Sequence, residues 1–180
     1  MDKTKLISCC VVLISLSIIY SVFAEPIKVL FSPNGGCQEA IVSEISKAEK
    51  TIDIAMYYLT GREIVQELVK AKEKGVVIRA FLDQSQENSQ YAKSRYLSKH
   101  GIEIRFYTGA GLMHNKFAVI DNKVLITGSF NWTATAQEKN QENLLIIKDS
   151  NLIKDYSKRF EMLWEKGRIN ETLGKGEVKE

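Results

Sequence analysis

Residues 51–83 limit the fold more than any other stretch of this chain. "TIDIAMYYL" (51–59) and "VVIRAFLD" (76–83) are rich in β-branched and aromatic residues and read as strands. Between them, Arg62 to Lys74 places Ile64, Val65, Leu68, Val69 and Ala71 at helical spacing, and Gly75 ends the run. A connection this long cannot be a hairpin. It is a crossover helix, so the two strands lie parallel in a sheet that needs helical cover.

The rest of the chain adds to that unit. Ile27 to Phe31 is a short apolar run stopped by Ser32-Pro33-Asn34-Gly35-Gly36. Glu39 to Lys50 and Ser89 to His100 have helical character, with His100 at an exposed helix end. Ile102 to Tyr107 and Glu142 to Lys148 read as strands. Leu152, Tyr156, Phe160 and Leu163 space out a last amphipathic helix, packed down by Trp164. At 180 residues, length favours one domain. The expectation is a single α/β domain over 25–166, a mixed β-sheet flanked by helices, with a polar, frayed tail over 167–180.

Composition excludes little. A net charge of +3 does not by itself argue for a nucleic-acid partner. Lys3 and Lys5 precede an apolar run from Leu6 to Phe23, and Val22-Phe23-Ala24 offers a cleavage site. Residues 1–24 therefore read as an export signal, with a periplasmic or secreted product. The run is also long enough to stay as a membrane anchor. Beyond it only Cys37 remains, which excludes an intrachain disulfide and any Cys-x-x-Cys zinc site. Cys37 reads as a small buried hydrophobe.

The chemistry concentrates in "HNKFAVIDNKVLITGSFNW", residues 114–132. Strand alternation points His114 and Lys116 the same way. Asp121-Asn122 between two apolar runs predicts a two-residue hairpin. In that register Lys116 faces Thr127, His114 faces Ser129, and Asn131 lies just beyond. Gly128 would let a ligand approach the backbone. Asp121 falls on the other parity and serves the turn. Phe130 and Trp132 read as packing. Lysine, serine and asparagine can hold the charged oxygens of a phosphate ester, and a histidine can act as nucleophile or proton donor near neutrality. The plainer alternative is a half-buried strand with a solvated His and Lys.

The full spacing is more specific than its parts. His114-x-Lys116, four residues, Asp121, six residues, then Gly128-Ser129-x-Asn131 resembles the HKD signature of the phospholipase D superfamily. "FSPNGG" (31–36), "IDIAMYYLT" (52–60) and "GVVIRAFLD" (75–83) are similar to the short bacterial single-motif members, secreted nucleases and phospholipase-D-like proteins. The resemblance implies a phospholipase-D-like fold and attack by His114 to give a phosphohistidine. It implies phosphate binding by Lys116, Ser129 and Asn131, and no metal or cofactor. It assigns Glu142 to orient the nucleophile's other ring nitrogen; a strand-end surface charge is the alternative. A second histidine must protonate the leaving group, and this chain holds one motif. The expectation is therefore a homodimer with a shared active site.

Three functions follow. The first is a metal-independent endonuclease on DNA or RNA. The second is a phospholipase D acting on phospholipid headgroups, because both substrates present the same phosphodiester. The third is a non-catalytic nucleic-acid or membrane binding module, which would have no need of histidine.

Overall fold

The computed structural model describes residues 27–170. Its elements are β1 (Ile27–Ser32), α1 (Cys37–Ser46), β2 (Thr51–Met56), α2 (Arg62–Glu73), β3 (Val77–Asp83), α3 (Ser85–Asn88), α4 (Ser94–Lys99), β4 (Glu103–Tyr107), β5 (Lys116–Ile120), β6 (Val124–Gly128), α5 (Ala134–Glu138), β7 (Glu142–Ile147) and α6 (Ser150–Glu165). The seven strands form one sheet in the order β1-β7-β6-β5-β2-β3-β4. β2, β3 and β4 run parallel, as the crossover requires. β2 meets β5 antiparallel, and the remaining pairs are antiparallel. The sheet is therefore mixed and flanked by helices. The expected export signal over 1–24 lies outside the described residues. Among those described, no helix is long and apolar enough to cross a membrane.

Two cores sandwich the sheet. On one face, Ile41 and Ile45 of α1 and Ile64, Leu68 and Ala71 of α2 pack on Ile52, Ile54, Ile78, Ala118 and Ile126. Cys37 is fully buried here, as a small hydrophobe, and burial, aided by the Glu39 charge, pushes its thiol pKa up. On the other face α6 lays Ile153, Phe160, Leu163 and Trp164 over Ala55, Phe117, Val119 and Leu125. Leu152 turns outward, and Ile153 takes the inward place expected of it. Arg79 fixes this helix. It donates to both Asp53 carboxylate oxygens at 2.7 and 2.9 Å and to Glu161 of α6, and it lies over the Phe160 and Trp164 rings.

Three expectations need correction. The helix read over 89–100 is shorter than expected: only Ser94–Lys99, α4, is helical, and α3 ends at Asn88 before that span begins. Ser94 is buried and its hydroxyl donates to the Gln86 carbonyl, which ties the start of α4 to α3. The tail read from 167 does not begin there as a frayed segment, because Arg168 and Phe106 exchange backbone hydrogen bonds at 2.9 Å on the sheet edge. The glycine before it allows the approach, since a Cβ on Gly167 would sit 2.8 Å from Phe81 and Arg105.

The third correction is the hairpin register. Asp121 and Asn122 are both left-handed and Lys123 N donates to Ile120 O, but pairing resumes at Ile120↔Val124, with Lys123 as an extra residue. Ala118 therefore faces Ile126, and Phe117 faces Thr127. Every residue of β5 is buried, so no polar and apolar alternation marks the register in sequence. His114 lies just before β5, and no ladder pair joins it to Ser129.

Asp121 serves the structure, as its parity indicated, but reaches beyond its own turn. Its carboxylate accepts from the backbone N–H groups of Glu49, Lys50 and Thr51, each at 2.8 Å, and its own N–H donates to Thr51 O. Burial pushes this carboxyl pKa up, but the three donors and the Lys123 charge outweigh burial and leave it lowered. A lowered carboxyl contributes stability above its unfolded value near pH 4, and that contribution fades as pH falls through the folded value. Asp121→Ala should cost about 2–3 kcal/mol in urea unfolding at pH 7. The gap from wild type should narrow below about pH 4. An equal gap at both pH values would show that the carboxylate charge is not what holds the turn.

Candidate active site

Where β5 begins and β6 ends, the sheet brings His114, Lys116, Ser129, Asn131 and Glu142 to one end. The residues flanking His114 are tied down. The buried Asp83, at the carboxyl end of β3, accepts from Met113 N at 2.8 Å and Ser85 N at 3.0 Å. Tyr57 N donates to Asn115 O at 3.0 Å. The imidazole itself is exposed, with the Tyr57 ring 4.5 Å away.

Lys116 is only 8% exposed, although it carries an ammonium. Its Nζ donates to His114 O at 2.8 Å, lies 3.1 Å from His114 Nδ1, and stands 5.2 Å over the Tyr57 ring. His114 and Lys116 do therefore work on one side, as alternation predicted. Burial pushes the Lys116 pKa down, opposed in part by the Glu142 charge. A cation held there with few protein partners is ready for an anion.

Across the sheet, Asn143 organises the other half. Its backbone carbonyl accepts from Ser129 N and Phe130 N at 3.1 and 3.3 Å, and its Oδ1 accepts from Ser129 N at 2.8 Å. Gly128, at φ 145°, permits this: a Cβ there would come 2.3 Å from Asn143 O. The room expected for a ligand at Gly128 is thus filled by the neighbouring strand. The Ser129 hydroxyl accepts from Asn143 N and donates to Glu142 at 2.5 Å, while Asn140 donates to the other Glu142 oxygen at 2.9 Å. Glu142 makes no hydrogen bond to His114 of its own chain. Asn131 Oδ1 accepts from Tyr58 N at 3.3 Å, and its NH2 group has no partner among the described residues.

Phe130 and Trp132 are each 1% exposed and belong to the core, where truncation costs about 3–5 kcal/mol. His100 is an exposed helix end whose Nδ1 lies 2.9 Å from Tyr96 O. Among the described residues, no group of three His, Cys, Asp or Glu side chains could hold a metal ion.

Sequence reasoning passed over Asp83, Tyr57 and Asn143. Asp83 carried one signal, because the carboxyl ends of parallel strands are where α/β sheets place their sites. Tyr57 and Asn143 carried none, since each matters through a neighbour brought in from another strand.

Comparison with known proteins agrees with this geometry. Residues 41–164 match the family described as cardiolipin synthase, PLD-like domain. A phospholipase D from Rickettsia conorii is 37% identical over 126 residues, 70% of this chain and 63% of that protein. A mitochondrial cardiolipin hydrolase from Chlamydomonas reinhardtii is 34% identical over 67% of this chain and 54% of its own length. The chain thus spans about three fifths of such relatives. Among solved structures, the phospholipase D family member Nuc from Salmonella typhimurium superposes with a TM-score of 0.76 at 29% identity, covering 80% of this chain and 97% of Nuc. NucT from Helicobacter pylori gives 0.74 at 25% identity, covering 80% and 99%. The matched domain, the shared sheet and the motif at its end together place this chain in the phospholipase D superfamily.

Proposed function

We propose that this chain hydrolyses phosphodiesters through a phosphohistidine on His114, without a metal, and that its substrate is nucleic acid. The observation that carries the substrate is a basic groove beside the motif. Arg62, Lys93, Arg95 and Lys99 line it, and none of the four is ion-paired among the described residues. Lys93 also lines the cleft that Asn131 enters, so groove and motif are continuous. A run of unpaired cations suits a polyanion better than a single headgroup.

Lys116 occupies the Nδ1 side of the imidazole, so Nε2 is the nitrogen open to substrate. In the proposed reaction Nε2 attacks phosphorus, a P–N bond forms and the bond to the leaving oxygen breaks. The leaving oxygen takes a proton from the partner's His114. That histidine then takes a proton from water, which attacks phosphorus, breaks the P–N bond and restores His114. The Lys116 ammonium and the free Asn131 NH2 stabilise charge on the non-bridging oxygens. Ser129 holds Glu142 in place.

A homodimer with a shared active site fits a proton problem within one chain. For Nε2 to attack, the ring proton must sit on Nδ1, and the Lys116 ammonium cannot accept it. Glu142 of the same chain does not reach it. Across a twofold axis the partner's Glu142 would supply the acceptor, and Phe31 and Leu112, 63% and 61% exposed at the same end of the sheet, would supply apolar contact.

A second reading is phospholipase D activity on headgroups. The relatives named phospholipase D and cardiolipin hydrolase support it, as does an apolar rim of Phe31 and Leu112. A binding module without catalysis would leave the buried Lys116 beside His114 without purpose. The exported, periplasmic or secreted location, with a membrane-anchored alternative, rests on residues 1–24 alone.

Purified protein in chelator, offered single-stranded DNA, duplex DNA, RNA and phosphatidylcholine vesicles, should turn over nucleic acid. Turnover of vesicles alone would transfer the assignment to phospholipase D. His114→Ala should abolish activity, and activity that returns only with added divalent metal would overturn the mechanism. Lys116→Arg should lose at least about 100-fold in kcat, because a planar fork does not replace a compact ammonium in a filled site.

The rate should follow a bell-shaped pH profile, one histidine neutral and its partner protonated. Glu142→Gln should lower the whole profile while the unfolding curve stays put; full activity would remove Glu142 from the site.

Equal amounts of wild-type and His114→Ala chains, unfolded and reassembled, should retain about a quarter of the activity, the share of dimers with both histidines. About half would mean independent sites.

A further inference from the structure

Beside the motif lies a cleft of about 750 Å³ whose wall the catalytic reading leaves without a role. Polar side chains and two tyrosines line it, and Ala134 is its one aliphatic residue. Asn131 and Tyr58 form the side nearest His114. The Tyr58 ring is 4.1 Å from that of Tyr57, which in turn is 4.5 Å from the imidazole, so the cleft starts about one nucleotide from the reacting centre.

Gln86 makes the cleft more than a polar dent. The residue is 1% exposed. Leu59 N donates to its Oε1, which fixes the direction of the amide, and Ser94 donates to its backbone carbonyl. Its Nε2 is buried with no partner in the protein. A buried amide donor left unmet costs about 1–3 kcal/mol, and a polar ligand in the cleft would meet it. Tyr91, also in the lining, is 69% exposed, an aromatic face open to solvent. Lys93 then leads into the basic groove of Arg62, Arg95 and Lys99.

We propose that this cleft binds the nucleobase next to the scissile phosphate, with Gln86 reading the base edge and Tyr91 stacking on its face. The proposal rests on the nuclease reading and sharpens it. The base must be splayed out of any duplex to enter, so the substrate is a single strand, with its following phosphates along Lys93, Arg95 and Lys99. A headgroup would leave most of the cleft empty.

The test uses two single-stranded oligonucleotides of equal length and charge, one of thymidine and one of tetrahydrofuran abasic sugars. Wild-type protein should cleave the first with kcat/KM at least about 10-fold higher. In Tyr91→Ala, an exposed position, and in Gln86→Leu, that preference should fall to about twofold or less. The loss should lie mainly in KM. An undiminished preference in a folded Tyr91→Ala protein, or no preference in wild type, would overturn the subsite while leaving a nuclease. Wild-type protein that cleaves phospholipid vesicles and neither oligonucleotide would remove the nuclease reading, and the subsite with it.

Discussion

The clamp between Asp121 and the start of β2 holds the rest of the site in register. A carboxylate that accepts three consecutive backbone N–H groups cannot slide along them. It pins the tip of the β5–β6 hairpin to Thr51, so Ile120 lies opposite Ile52 and Lys116 opposite Met56. Five residues from the clamp, this register sets Lys116 under Tyr57 and beside His114. A slip of one residue would send Lys116 to the α6 face, against Phe117's neighbours, with its charge buried and unmatched. The aspartate of the motif thus acts on chemistry from the far end of a strand.

The near end is built on the opposite principle. Strand pairing stops early there, and side chains take over the hydrogen bonding. Asp83 holds the backbone before His114, Asn143 holds the backbone at Ser129, and Asn131 caps Tyr58 N. Each fixes a loop that a continued ladder would have flattened. Among the described residues, the groups left open at this end are the exposed imidazole, the Asn131 NH2 group and the buried Gln86 Nε2. Unmet polar groups in a well-packed protein mark where a ligand completes the structure.

Much of the architecture could be read from the chain. The crossover fixed a parallel pair, the apolar runs fixed the strands, and the spacing of His114, Lys116, Ser129 and Asn131 pointed to a candidate site. These rest on periodicity and on residue types whose roles are local. The elements that were misjudged all depend on partners distant in sequence. The helix over 89–100 starts only at Ser94, whose hydroxyl is held by the Gln86 carbonyl. Gly128 makes room for Asn143, not for a ligand, because β7 returns beside β6. The polar residues at 167 and 168 became an edge bridge because Phe106 was there to receive them.

The sequence by itself determined which groups could do chemistry: one motif histidine, a lysine two residues on, and the small polar residues that follow at fixed spacing. Tertiary structure alone decided how they are directed. A strand buried on both faces carries no alternation to set its register, so the turn and the Asp121 clamp had to choose it. Glu142 reads in sequence as the partner of His114, yet in the fold its oxygens go to Ser129 and Asn140. That choice is a matter of distances between strands, and no spacing along one chain encodes it.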